Sequence, residues 1–331
     1  MSESHSLLIE TADRLFADLA ADAKLDFVGL WSQVAEAGFS SLLVPEQDGG
    51  FGGDWVDAVA VLRLAGFHAL PAPLAEAIVA ARLVVEVGWE PAGSLTVFAP
   101  AVEGVIGGGR FTGRLKAVPW GAEADRVVAI LEGGLLQVSR ADAVDVAQSV
   151  NPAGEPRDIL VFDDAPVQTA PTEIDLFALG ALTRAALIAG ALDAALARSI
   201  QYANDRVQFG KPIGKFQAVQ QALAVFAEEA AAVNCAAEAA AQAMDRGDAS
   251  FEIASAKLRA NIAAQIGHAT AHQVHGAIGF TQEYDLHRWT RRLLSWASEC
   301  GSERYWAEWL GGAVAARGAD AFWPDLTARS D

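Results

Sequence analysis

The sequence predicts an α+β fold in three consecutive parts: an N-terminal helical domain over residues 1–90, a reduced middle β domain over 91–173 and a C-terminal four-helix bundle over 174–331. Three observations carry this expectation. Apolar residues recur at helical spacing through the first part. Short β-prone runs separated by glycine and charge replace them after Pro91. Long alanine-rich periodic stretches then follow Asp175.

In the first part, Leu7, Leu8, Ala12, Leu15, Phe16 and Leu19, then Phe27, Leu30, Trp31 and Val34, place apolar groups on one helical face within residues 7–40. Leu42–Glu46 ends that pattern before the loop Asp48-Gly49-Gly50-Phe51-Gly52-Gly53, and residues 54–67 and 74–88 return to helix. In the middle part, Val97, Ile106, Phe111, Val118, Val127–Ile130, Leu135–Val138 and residues 158–162 read as strands of a barrel or a sandwich. The last part reads as helices over about 176–205, 215–246, 250–280 and 284–317.

Composition narrows the function. The 331 residues are 52% hydrophobic and 20% charged, with a formal net charge of −18. That field opposes polyanions at long range, so no nucleic-acid partner is expected, and any anionic ligand needs a local cluster of Arg and Lys. The mean hydropathy of +0.23 reflects alanine, a strong helix former, rather than a membrane span. The apolar run Ala181–Ala197 is cut by Arg184 and Asp193 and followed by Arg198, so no membrane span is expected. Met1–Ser6 lacks a cationic segment ahead of an apolar one, and two cysteines, Cys235 and Cys300, make no disulfide framework. A cytoplasmic, reduced setting is expected.

The most informative stretch is Arg206-Val207-Gln208-Phe209-Gly210-Lys211-Pro212-Ile213-Gly214-Lys215-Phe216-Gln217. It joins two long helices through a Gly/Pro turn. Its residue types suit a phosphorylated aromatic cofactor: Arg206 for a diphosphate, Phe209 for a ring and Gln217 for a polar edge. A second segment, Gln273-Val274-His275-Gly276-Ala277-Ile278-Gly279-Phe280-Thr281, offers Gly276 where a backbone approaches a ligand and Gly279 for a turn. His268, His272 and His275 share one helical face, either converging on zinc or packing and hydrogen bonding within the bundle. No cysteine or convincing carboxylate completes a zinc set, and no metal is expected. No early Gly-x-Gly-x-x-Gly supports a nicotinamide cofactor.

These segments resemble the acyl-CoA dehydrogenase family. Leu42–Gly50 is similar to its early Pro-Glu-x-x-Gly-Gly turn, Arg206–Gln217 to its Arg-x-x-Phe-Gly-x-Pro-Ile-x-x-x-Gln segment, and Gln273–Thr281 to its Gln-x-x-Gly-Gly-x-Gly-Tyr-Thr. The order of helical, β and bundle parts is that of the family as well. The resemblance implies FAD as cofactor and an acyl-CoA thioester as substrate, with an α,β double bond introduced. It implies that Arg206, Phe209, Gln217, Gln273, Gly276, Gly279 and Thr281 contact the nucleotide end of a flavin held largely by a neighbouring subunit. Electron-transfer flavoprotein is the implied acceptor.

The chain departs from the family at the chemistry. The stretch comparable to the family's base-bearing Tyr-Glu-Gly-Thr is Trp296–Glu303. If Gly301 matches the family glycine, Cys300 stands at the base and Glu299 one residue early, about 100° away on a helix. Glu299 is the candidate base on a local shift. Thr183 stands at the family's other base position and supplies no carboxylate. The Thr-Glu-Pro-x-x-Gly-Ser loop is missing, and Trp120 either covers a ring or acyl chain or belongs to a core or subunit contact. The resemblance is therefore to the shorter subunit of the heteromeric α2β2 enzymes of steroid-derived acyl-CoA breakdown, whose fuller partner brings the base. The alternatives are a self-sufficient homomeric enzyme using Glu299 and a non-catalytic stabilising subunit.

Overall fold

The computed structural model describes residues 3–22, 24–91 and 95–330. Met1 and Ser2, part of the N-terminal stretch read above, lie outside the described residues, as do Ala23, residues 92–94 and Asp331.

Four helices come first: α1 (Glu3–Ala21), α2 (Phe27–Glu36), α3 (Trp55–Phe67) and α4 (Leu74–Glu86). The 7–40 pattern is thus two helices. Asp26 starts the second by accepting a hydrogen bond from the Gly29 amide, a side-chain cap. α3 opens on a reciprocal cap between Asp54 and Asp57.

Eight strands follow: β1 (Thr96–Phe98), β2 (Ala101–Gly107), β3 (Arg110–Pro119), β4 (Arg126–Leu131), β5 (Gly134–Ser139), β6 (Asp145–Ala147), β7 (Arg157–Pro166) and β8 (Gln168–Pro171). They form two four-stranded sheets, ordered β1-β4-β5-β8 and β2-β3-β7-β6, with β1–β4 the parallel pair. Between barrel and sandwich, the result is a sandwich. Val127 and Ala129 on β4 share a buried cluster with Phe111, Leu115, Leu160 and Phe162 of the other sheet. Val128 and Leu135 instead meet Val79, Leu83 and Leu179 of the helical layers. The period of two therefore divides the Val127–Ile130 run between two apolar partners, which explains why it is apolar on both faces.

The last part holds α5 (Leu176–Asp205), a hairpin β9 (Val207–Gln208) and β10 (Lys211–Pro212), α6 (Gln217–Arg246), α7 (Ser250–His275), α8 (His287–Ser298), α9 (Glu303–Arg317) and α10 (Phe322–Ser330). α5 is long and apolar enough to cross a membrane, with mean hydropathy 1.5, but 83% of that window is buried inside the fold. A helix apolar all round is what a central core position requires. Its close approach to α3 needs glycine on both sides. A methyl on Gly66 would overlap the Leu187 carbonyl, and one on Gly190 the Arg63 carbonyl. Gly190→Ala is accordingly expected to cost about 1–3 kcal/mol. A urea midpoint equal to wild type would show that the two backbones do not touch.

The last two expected helices end or break where their period would have carried them on. The 250–280 helix stops at His275, because Gly276 turns to φ +62° and residues 276–280 tighten into a 3₁₀ turn. The 284–317 helix is broken at Glu299–Ser302. Cys300 at φ +51° and Gly301 at φ +100° end α8, and the Ser302 hydroxyl caps α9 by accepting from the Tyr305 amide.

Candidate functional site

The two segments expected to bind a cofactor, 206–217 and 273–281, meet at one end of the bundle. α5 turns into α6 through the β9–β10 hairpin, and α6 into α7 through Gly247–Ala249, so α5 and α7 run parallel and finish together. The Tyr202 ring stacks on His275 at 4.5 Å between centroids, and His275 Nε2 lies 3.2 Å from the Tyr284 hydroxyl. These contacts tie the end of α5 to the end of α7 and the approach to α8.

Arg206 is the residue at which α5 ends, its amide still bonded to the Tyr202 carbonyl at 2.9 Å. Its carbonyl accepts the Ile213 amide at 2.8 Å and closes the hairpin. Phe209 and Gly210 form the two-residue tip at φ +51° and +79°, the left-handed pair that a tight hairpin demands. Phe209 carries strain that a glycine would not, and its ring is 92% exposed, set T-shaped to Phe216 with centroids 6.1 Å apart. Lys211 Nζ lies 4.4 Å from the Phe216 ring centre. Gln217 begins α6, where no side chain caps the first amides.

Gln273 lies exposed on the last turn of α7. A Cβ on Gly276 would meet nothing within 4 Å, so glycine is needed there for φ +62° rather than for space. Gly279 is packed: an added Cβ would lie 3.0 Å from His275 Cβ and 3.3 Å from His272 Nδ1. The Thr281 hydroxyl donates to the Ile278 carbonyl at 2.9 Å and finishes the turn. Among the described residues, the Arg206 guanidinium and the Gln217 and Gln273 amides have no hydrogen-bond or ion-pair partner within the chain. With Lys211 and Lys215 exposed in the same 206–217 segment, they make a donor-rich end, beside which stand the carboxylates of Asp205 and Asp285. Such an end fits a diphosphate ester from outside the chain. The three histidines are otherwise engaged: His275 with Tyr284 and the Ala271 carbonyl, His272 with the Thr290 hydroxyl, and His268 against the His272 ring.

Glu299 lies elsewhere. Its carboxylate accepts from Arg157 Nε at 2.9 Å and Nη2 at 3.0 Å, from Arg184 Nε at 2.6 Å and from Asn151 Nδ2 at 3.0 Å. Arg184, 3% exposed, bridges Glu299 to Glu76 on α4. Arg157 also reaches Glu155, which accepts from Arg292 Nε at 3.0 Å and Trp296 Nε1 at 2.9 Å. Three arginines and three glutamates thus clamp α4, the sandwich, α5 and α8 together. Trp120 is buried beside this clamp with Arg157 Cζ 5.6 Å from its ring centre. The void lined by Glu76, Trp120, Arg157, Arg184 and Trp296 measures about 10 Å³, room for about one water.

Burial pushes the Glu299 carboxyl up, but the Arg184 and Arg157 charges outweigh it and hold the group down at about 2. For Arg184, burial pushes down while Glu76 and Glu299 raise it well above the ordinary guanidinium value. A carboxylate so held keeps little basicity for proton abstraction. The linkage has a definite sign. A depressed carboxyl stabilises the fold above the ordinary value of 4.5 and loses that share as pH falls towards 2. The share is about 3 kcal/mol, so Glu299→Gln should flatten the decline in Tm between pH 5 and pH 3. An acid limb as steep as wild type would contradict the pairing.

Next to the clamp is a group that the sequence reading missed. Lys257 is fully buried, donating to the Trp296, Ala297 and Gly301 carbonyls at 3.1–3.2 Å, with Asn261 Oδ1 at 2.5 Å. It satisfies the open carbonyl end of α8 and shapes the Glu299–Ser302 break. Burial lowers its pKa to about 7. Cys300 is buried, and burial pushes its thiol up, away from the reactive thiolate. Thr183 spends its hydroxyl on the Gly180 carbonyl. The available signal was Arg184 inside an apolar helix, since a buried charge must have a partner.

Arg184 and Arg206 stand about 33 Å apart along α5. One chain therefore keeps its nucleotide-type donors and its Glu299 clamp in separate places.

Residues 173–304 match the family described as "Acyl-CoA dehydrogenase, C-terminal domain". The chain is 31% identical over 281 residues to "Acyl-CoA dehydrogenase IpdE2" of Mycobacterium tuberculosis, covering 83% of each. It is 29% identical over 327 residues to the IpdE2 of Mycolicibacterium smegmatis, covering 92% of this chain and 96% of that one. A chain of the ChsE4–ChsE5 complex from Mycobacterium tuberculosis shares the fold with a TM-score of 0.86 at 24% identity, over 96% of this chain and 99% of that one.

Proposed function

Because the chain belongs to the acyl-CoA dehydrogenase family, we propose that it is one subunit of a heteromeric FAD-dependent acyl-CoA dehydrogenase, of α2β2 type. Arg206, Gln217 and Gln273 bind the nucleotide half of an FAD whose reacting end, and whose catalytic base, lie in a non-identical partner chain. The bound flavin would supply the hydride-accepting chemistry for oxidation of the acyl chain. This chain's part is to grip and orient: Arg206 the diphosphate, Gln217 and Gln273 the polar edges, and Phe209 a neighbouring ring. Gly276, Gly279 and Thr281 shape the turn beside them. The substrate is an acyl-CoA thioester of the steroid-derived kind, the acceptor electron-transfer flavoprotein, and the setting the cytoplasm.

The observation that carries this reading is the fate of Glu299. Glu299, the candidate base, is neutralised by two guanidiniums beside a void of about 10 Å³. Donors without partners among the described residues stand instead at the far end of the bundle. The test is to purify the chain alone and with co-expressed candidate partner subunits, then measure assembly mass, flavin absorbance per chain and acyl-CoA oxidation. The expected result is flavin and turnover in the mixed assembly alone, surviving Glu299→Gln. Turnover by the single chain that is lost in Glu299→Gln would establish the homomeric alternative. A mixed assembly whose flavin ignores Arg206→Ala would leave only a stabilising role.

A further inference from the structure

Behind the Gly276–Phe280 turn stands an imidazole to which the reading above assigns no role. His272 is 8% exposed and stacks on Phe280 with centroids 4.2 Å apart and planes 23° from parallel. Its Nε2 lies 3.0 Å from the Thr290 hydroxyl, whose own proton is directed to the Leu286 carbonyl. The imidazole therefore donates from Nε2, leaving Nδ1 as a bare lone pair. That nitrogen is buried without a partner and faces Gly279, where an added Cβ would lie 3.3 Å away. One side chain thus joins α7, the turn and α8, and holds the turn by its ring face.

We propose that His272 is the positioning residue of the flavin-nucleotide turn, which it supports only as the neutral imidazole, so that its protonation releases the cofactor. This rests on the flavin-site reading given under Proposed function. A proton on Nδ1 would be buried against the backbone of Gly279 with no acceptor, a costly state that moving the turn relieves. The titratable groups facing His272 are His268 and His275, both from α7; α8 presents Thr290 and the turn presents Phe280 and Gly279. No carboxylate is among them to favour the cation, while Asp285 acts on His275. Burial, then the charges of His268 and His275, push the His272 pKa down to about 4. With a folded value below the ordinary 6.5, the supported turn is favoured above that pH and weakens as pH falls towards 4.

The experiment uses the flavin-containing mixed assembly and follows free-flavin fluorescence from pH 7.5 to 4. His272→Gln keeps an N–H for Thr290 but cannot take up a proton. Its release midpoint should move at least one pH unit lower than wild type. His272→Ala should bind FAD at least tenfold more weakly at pH 7.5, with assembly mass unchanged. Coincident release curves for wild type and His272→Gln would overturn the proposal, even if His272→Ala fails to assemble. A wild-type assembly without flavin would instead defeat the underlying flavin-site reading, which keeps the two failures distinct.

Discussion

Arg184→Leu is expected to destabilise the chain by about 3–5 kcal/mol, the cost of leaving buried charge without its partner. The guanidinium is 3% exposed and stands between Glu76, also 3% exposed, and Glu299. Its removal strands Glu76 among the described residues and leaves Glu299 to Arg157 and Asn151. Urea denaturation should show the loss as a lower midpoint at unchanged slope. The double replacement Arg184→Leu with Glu76→Met should recover much of it, since an apolar pair avoids the desolvation cost. A single mutant as stable as wild type would mean that the clamp does not hold these layers together. Because the clamp spans α4, the sandwich, α5 and α8, the loss should appear as one cooperative shift of the whole chain.

The second large effect concerns the other end of the bundle. Arg206→Ala combined with Gln217→Ala and Gln273→Ala should weaken FAD binding by the mixed assembly roughly a hundredfold or more. A hydrogen bond to a charged group contributes about 1.5–3 kcal/mol and a neutral one about 1 kcal/mol. None of these side chains has a partner within the chain among the described residues, so truncation should leave the fold intact. Flavin absorbance per assembly after dialysis, with intact mass measured in parallel, reads the effect directly. Full flavin occupancy in the triple mutant would defeat the proposed function. Arg206→Lys should recover only part of the affinity, because an ammonium lacks the guanidinium's paired donors.

The two ends were unequally legible. The Arg206–Gln217 connection could be read as a turn because each of its signals is local: Gly210, Pro212, and a cation and an amide on either side; that it is a two-stranded hairpin came from the structure. A turn was legible at Gly279 but not at Gly276, where the helix ends five residues earlier than the period suggested. The break at Glu299–Ser302 was missed, since Trp296 and Trp306 continue an apolar rhythm across it. Ser302 followed by Glu303 was a capping signal that could have marked it. The neutralisation of Glu299 was hidden altogether. Its partners Asn151, Arg157 and Arg184 lie 148, 142 and 115 residues away.

By itself the sequence determined the helix–β–bundle order, the apolar faces that drive it and the cationic Gly/Pro turn between the two long helices, all properties of short-range periodicity and turn chemistry. Only the tertiary structure decided which charges meet. It paired Glu299 with two arginines from distant elements, closed the space beside Trp120, placed Lys257 against the end of α8 and set His272 behind the Gly279 turn. Coulomb interaction and desolvation depend on separation in space and on exclusion of water, and neither is written in the spacing of residues along the chain.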